Sequence, residues 1–290
     1  MNPVPDWMRA EYPFEPQYLG LTSGSRMSYL DEGEGSAVVM LHGNPTWSYF
    51  YRHLVKALSS TMRCIVPDHI GCGFSDKPQD YSYRLEQHVS NAVELIESLD
   101  LERFDLVLHD WGGAIGMGVA RELKEKVDRL VVTNTAAFRS KSIPWQINIC
   151  RTPFLGSWII RGLNGFAGPA TKMAVSERLP EVVKRGFLYP YQNWNDRIAN
   201  WAFVQDIPMR AVHPSWDTLV DIEKGLESFK NHPMLLLWGM KDFCFHPGFL
   251  EEWERRFPDA KVQRISDAGH YLYEDATEQT VGKVAEFLAR

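Results

Sequence analysis

Four short segments of this 290-residue chain carry side chains that could do chemistry. They are His42-Gly-Asn-Pro-Thr-Trp-Ser48, His109-Asp-Trp-Gly-Gly113, Gly239-Met-Lys-Asp-Phe-Cys-Phe-His246 and Asp267-Ala-Gly-His-Tyr271. In chain order Asp110, Asp242 and His270 read as nucleophile, acid and histidine, with the nucleophile on a tight strand-to-helix turn. The nucleophile is a carboxylate. A serine attacking an alkyl carbon would leave an ether that water cannot cleave, whereas a carboxylate leaves an ester that water opens at the enzyme's own carbonyl carbon. Asp110 therefore suits displacement at saturated carbon, and its ionised form needs no base to activate it. His270 is then free to act on the hydrolytic water, with Asp242 orienting the ring and stabilising the imidazolium.

Asn44 and Trp111 are expected beside that nucleophile. Their backbone N–H groups would hold the oxyanion formed on Asp110 during ester hydrolysis. Their side chains suit a leaving anion, because an indole N–H only donates, an amide NH2 offers two donors, and neither adds a charge that would trap the product. Gly112 fits close helix packing after the turn, but Leu108 stands where the G-x-S-x-G pattern has its first glycine. Asp68, in a Gly-rich loop, reads as a turn-shaping residue, and His42 and His109 as buried orienting groups. His213, His232 and His246 have no metal-ligand spacing, and Gly71-Cys-Gly73 lacks the rest of a dinucleotide fingerprint. Neither a metal nor a cofactor is expected.

Positioning these groups requires strands that end just before them, since ligands in open α/β sheets bind at the carboxyl ends of the strands. Apolar, largely β-branched runs at 37–41, 63–67, 104–108, 129–133, 234–238 and 261–265 read as strands buried on both faces. Helical spacing of apolar residues over 83–99, 114–122 and 278–289 completes a strand and helix alternation, the pattern of an α/β fold with a mostly parallel central sheet flanked by helices.

The interval 138–212 breaks that rhythm with helical pieces, Pro and Gly punctuation and no strand-like run. It reads as a helical cap inserted into a core made of 1–137 and 213–290. Its Trp145, Phe154, Trp158, Phe166, Phe187, Tyr189, Tyr191, Trp194, Trp201 and Phe203 are numerous enough to roof an apolar pocket. Any one of them taken singly reads first as packing between cap and core.

With 44% hydrophobic and 23% charged residues, the composition is that of a globular protein. A net charge of −6 and the lack of any Lys/Arg block argue against nucleic acid and against a polybasic membrane patch. The expected partner is a small apolar substrate. No apolar run is long enough to span a bilayer and no signal-like start is present, so the expected location is cytoplasmic, without membrane insertion. Cys64, Cys72, Cys150 and Cys244 show no paired spacing and read as free, mostly buried thiols.

The segments His42-Gly-Asn-Pro-Thr-Trp-Ser, Gly71-Cys-Gly-Phe-Ser-Asp-Lys-Pro, His109-Asp-Trp-Gly-Gly and Asp267-Ala-Gly-His occur in an order that resembles the haloalkane dehalogenases over nearly the whole chain. The resemblance implies an α/β-hydrolase fold with a helical cap, cofactor-free release of halide from haloalkanes, and a halide site at Asn44 and Trp111. Within that family the acid follows either of two strands; here Asn134-Thr-Ala-Ala offers no carboxylate, while Lys241-Asp-Phe-Cys-Phe does. The subgroup so marked shades into the β-lactone decarboxylases of long-chain olefin synthesis, to which Asn134-Thr-Ala-Ala-Phe138, Arg161-Gly-Leu-Asn164 and Lys241-Asp-Phe-Cys-Phe245 are also similar. The primary expectation is haloalkane hydrolysis through an alkyl-Asp110 ester. The alternative is decarboxylation of a cis-β-lactone to a long-chain alkene, and epoxide hydrolysis stands behind both. An epoxide hydrolase would want a convergent pair of cap tyrosines, and Tyr189 and Tyr191, two residues apart, make a poor one.

Overall fold

In the computed structural model, which describes residues 4–289, eight strands form one sheet. They are β1 (Gln17–Gly20), β2 (Arg26–Glu32), β3 (Ser36–Leu41), β4 (Met62–Pro67), β5 (Phe104–Asp110), β6 (Val127–Thr135), β7 (Met234–Gly239) and β8 (Lys261–Ile265). The spatial order is β1-β2-β4-β3-β5-β6-β7-β8. All neighbours from β4 to β8 pair in parallel, and β2 pairs antiparallel with both β1 and β4. β3, β5 and β7 are buried almost throughout because helices cover both faces.

The six apolar runs all fall within strands β3 to β8. β1 and β2 escaped that reading, and their composition explains why: Arg26-Met-Ser-Tyr-Leu-Asp-Glu32 has charged ends and a serine in its buried middle, and the edge strand β1 has only four residues, none fully buried. The helix after β5 starts at Trp111, three residues earlier than apolar spacing suggested, because it begins at once after the turn at Asp110.

Between β6 and the helix Trp216–Gly225 the described chain is helical or irregular, with no strand. Its helices include Trp145–Cys150, Ala167–Met173, Glu181–Leu188 and Ile198–Gln205. Several of their apolar side chains, among them Ala167, Val183 and Phe187, together with Tyr191 in the segment that follows, belong to the same buried cluster as the residues of β3 and β7 that face that side of the sheet. The cap thus shares its hydrophobic packing with the core. No helix among the described residues is long and apolar enough to cross a membrane.

Candidate active site

Asp110 ends β5 and directly precedes the helix Trp111–Glu122. Its backbone, φ 50° and ψ −125°, lies where residues with a Cβ rarely settle, at a cost of about 1–3 kcal/mol. Surrounding contacts hold it there. The Thr135 hydroxyl donates to the Asp110 carbonyl, and the Asn44 N–H donates to the carboxylate at 2.6 Å. Two glycines make the room: a methyl group on Gly43 would overlap the Asp110 carboxylate, and one on Gly112 would overlap the Leu41 carbonyl of β3. The departure at Leu108 also has a structural partner, for its buried side chain occupies the space left by Gly116 on the following helix.

The sheet brings the three sequence-predicted catalytic residues together. His270 Nδ1 lies 2.7 Å from Asp242 Oδ2, and its Nε2 lies 3.8 Å from Asp110 Oδ2. That second separation is too long for a hydrogen bond and leaves Nε2 facing the nucleophile. Burial pushes the Asp110 carboxyl above its ordinary range, against the opposing pull of His270 and the N–H groups of Asn44 and Trp111. Burial works to lower the pKa of His270, but Asp242 and Asp110 outweigh it and hold the imidazole above its ordinary value. Asp242 is itself fixed on both sides: one oxygen accepts from Cys244 N–H at 2.6 Å and Phe245 N–H at 3.1 Å, the other from Asn134 Nδ2 at 2.9 Å.

Asn134 is a residue to which the sequence assigned no role, beyond the want of a carboxylate there and its place in a segment similar to the β-lactone decarboxylases. It exchanges hydrogen bonds with both the N–H and the C=O of Gly239 and so clamps β6 to β7 beside Asp242. Its φ of 35° coincides with a register shift, in which His109 pairs with Thr133 but Asp110 with Thr135. The unpaired extra residue is Asn134, and such a bulge turns its side chain out of the ladder. A polar residue beside the acid's strand, at the end of an apolar run, was the available signal.

Asn44 and Trp111 line a cavity with Asp110 and His270. Asn44 Nδ2 donates to the Asn200 carbonyl at 3.1 Å, which uses one of its two hydrogens. His109 Nε2 lies 2.9 Å from the His270 carbonyl, and His42, with its pKa lowered to about 4 by burial, bonds the Gly43 carbonyl, so both act as buried orienting groups. Asp68 accepts from Ser48 N–H and Phe74 N–H and shapes its turn. The four cysteines are free, with Cys244 only partly buried at the cavity wall.

The cavity wall corrects the expected aromatic roof. Of the ten cap aromatics only Phe166 lines it; apart from Phe138 at the cap's first position and Gln146, the rest of the cap's contribution is aliphatic or small, including Ile143, Ile147, Ala170, Met173, Val204 and Ile207. Phe187, Tyr191 and Phe203 are packed into the interior, while Trp145, Phe154 and Trp158 point outward. Tyr189 and Tyr191 do not reach the cavity, and the Tyr191 hydroxyl is spent on the Thr46 carbonyl, so the pair that epoxide opening would need is not there.

Comparison with known proteins follows the same lines. Residues 36–277 match the family described as alpha/beta hydrolase fold. A cis-3-alkyl-4-alkyloxetan-2-one decarboxylase of Xanthomonas campestris pv. campestris is 44% identical, over 96% of this chain and 97% of its own. One of the same name from Shewanella oneidensis is 40% identical, over 95% and 89%. The solved structure of haloalkane dehalogenase DbeA from Bradyrhizobium elkani USDA94 has a TM-score of 0.85 at 26% identity, covering 94% of this chain and 98% of that one. The chain belongs to the alpha/beta hydrolase fold family, on the branch that haloalkane dehalogenases share with these decarboxylases.

Proposed function

We propose that the protein decarboxylates a cis-3-alkyl-4-alkyloxetan-2-one to a cis-alkene, with Asp110 as nucleophile. The observation that carries this reading is the 44% identity, over nearly the full length of both chains, to a relative of that name. It reverses the order of the two main sequence expectations, since the dehalogenase likeness is carried at lower identity.

The chemistry suits the side chains. Asp110 attacks C4 of the lactone with inversion, the C4–O bond breaks, and its electron pair leaves on a new carboxylate. The C2–C3 bond then gives its electrons to a C3–C4 double bond as Asp110 departs, so that carbon dioxide and alkene leave and the nucleophile is restored. Inversion followed by departure from the opposite face returns a cis-alkene from a cis-lactone. No water and no net proton are consumed. An imidazolium at His270, favoured by Asp242 and Asp110, would steady the carboxylate until it fragments. The largely apolar wall suits alkyl chains.

Haloalkane hydrolysis remains the second reading, favoured by the Asn44 and Trp111 side chains at the cavity beside Asp110. Turnover on a long-chain cis-β-lactone, followed by alkene appearance, and on a bromoalkane, followed by bromide, separates the two. The proposal expects fast lactone loss that Asp110→Asn abolishes. An intact lactone in the presence of protein that releases bromide would reinstate dehalogenation.

A further inference from the structure

The cap has an outer surface that the reaction does not use. Of the eleven large apolar side chains exposed among the described residues, seven fall between Trp145 and Met173. Trp145 is 69% exposed, Phe154 90% and Trp158 64%, with Ile149, Leu155, Leu163 and Met173 beside them in sequence. Scattered single apolar residues need no explanation, but a concentration of this kind marks an interaction surface. Phe154 is also held at φ 60° and ψ −53°, a strained backbone that turns an aromatic ring almost wholly outward.

The charge pattern of the same segment says what covers it. Between Phe138 and Ser176 there is no Asp or Glu, against Arg139, Lys141, Arg151, Arg161 and Lys172, in a chain whose net charge is −6. Lys141 and Lys172 are exposed and form no ion pair among the described residues; Arg139 is paired with Glu223. Exposed Trp, Phe and Leu among cations with no carboxylate is the composition of a segment that lies in the headgroup region of an anionic bilayer. The sequence expectation excluded a polybasic patch and membrane insertion; a face of exposed apolar side chains in a stretch free of acids requires neither.

The geometry points to an anionic phospholipid surface as the partner of this face. The cavity reaches the exterior through the same segment, because its exposed lining residues include Ser142, Pro169 and Met173. The short helix Trp145–Cys150 divides the two environments, with Gln146, Ile147 and Cys150 on the cavity and Trp145 and Ile149 outside. A docked cap therefore presents the cavity mouth to the hydrocarbon boundary, from which an apolar substrate enters without crossing water. The surface is argued from the cap alone and does not depend on which reaction follows.

The test is co-sedimentation with vesicles of phosphatidylglycerol and phosphatidylethanolamine, beside vesicles of phosphatidylcholine alone, at low and raised salt. The intact protein is expected to bind the anionic vesicles and to weaken with salt. Lys141→Glu with Lys172→Glu should lower affinity by at least about tenfold, since each basic residue near such a surface contributes roughly fivefold. Trp145→Ser with Phe154→Ser and Trp158→Ser should abolish binding while circular dichroism stays unchanged. Intact protein that remains in solution with both vesicle types overturns the proposal, as does an apolar triple variant that binds undiminished. Sedimentation velocity supplies a separate check: self-association removed by the triple variant, without vesicle binding, would instead assign the face to a second copy of the chain.

Discussion

The Nδ1 of His270 sits 2.7 Å from Oδ2 of Asp242, and that same oxygen accepts from Asn134. The ring is thereby held in the tautomer that keeps Nε2 toward Asp110, and the charged form is favoured. Asp242→Asn removes the charge and keeps the shape. It is expected to lower kcat by roughly 10³ to 10⁴-fold, by comparison with amide replacement of a triad carboxylate. It should also move the His270 titration down toward its ordinary value, read by NMR of the ring protons. A variant with full activity would remove Asp242 from the triad.

The pH profile distinguishes the two chemistries. Burial raises the Asp110 carboxyl, so activity should fall on the acid side at a pH above the ordinary aspartate value of about 3.9. On the alkaline side the signs diverge. Decarboxylation supported by an imidazolium declines as pH rises through the raised pKa of His270, whereas a histidine that must accept a proton from water gains activity over the same interval. Measuring kcat from acid to alkaline pH, on the lactone and on a bromoalkane, gives the sign for each chemistry.

Leu108 and Gly116 should prove energetically coupled. Replacing Gly116 with alanine gains about 1 kcal/mol in helix propensity but forces a methyl group into the buried Leu108 side chain, and overpacking costs about 1–3 kcal/mol. The expected net effect is destabilising. In a Leu108→Ala background the three atoms nearest that methyl, all of the Leu108 side chain, are gone, and the same substitution should become stabilising. Urea unfolding of the four proteins measures both signs, and equal effects in the two backgrounds would exclude the contact.

Behind His270, the chain is fastened by a buried ion pair. Arg52 grips Glu274 through two nitrogens at 2.5 and 2.8 Å, with the side chains only 1% and 5% exposed. Glu274→Gln leaves the buried cation with Glu11, at 3.3 Å, as its remaining carboxylate partner, and should cost less than the ~3–5 kcal/mol of a buried charge left with none. Arg52→Met combined with Glu274→Leu should cost less than that single change, because the one charge left, Glu11, is 29% exposed and reaches water. Chemical denaturation compares them.

Much of this architecture was legible because its signals are local. A strand buried on both faces must be continuously apolar, so β3 to β8 stand out in the sequence, and the reactive groups follow directly after four of them. β1 was illegible because a short edge strand buries little, and β2 because its four buried residues include Ser28 and are bounded by Arg26, Asp31 and Glu32, which leaves no continuous apolar run. The cap aromatics misled because composition records how many rings there are and says nothing of which way each faces; Phe203 packs against Trp111 and His88 while Phe154 stands in solvent. Asn134 was missed for a related reason, since its role arises from a contact with Gly239 across 105 residues.

The extra residue in β6 also gives the site an arithmetic. Side chains along a strand alternate between faces, so one added position reverses the assignment of every residue beyond it. Shortening β6 by deleting Asn134 would do more than remove an amide: it would exchange inside and outside for Thr135, the last residue of the strand, and Thr135 could no longer reach the carbonyl of Asp110. The geometry of the nucleophile thus depends on the parity of a neighbouring strand, a quantity that no single side-chain substitution can restore.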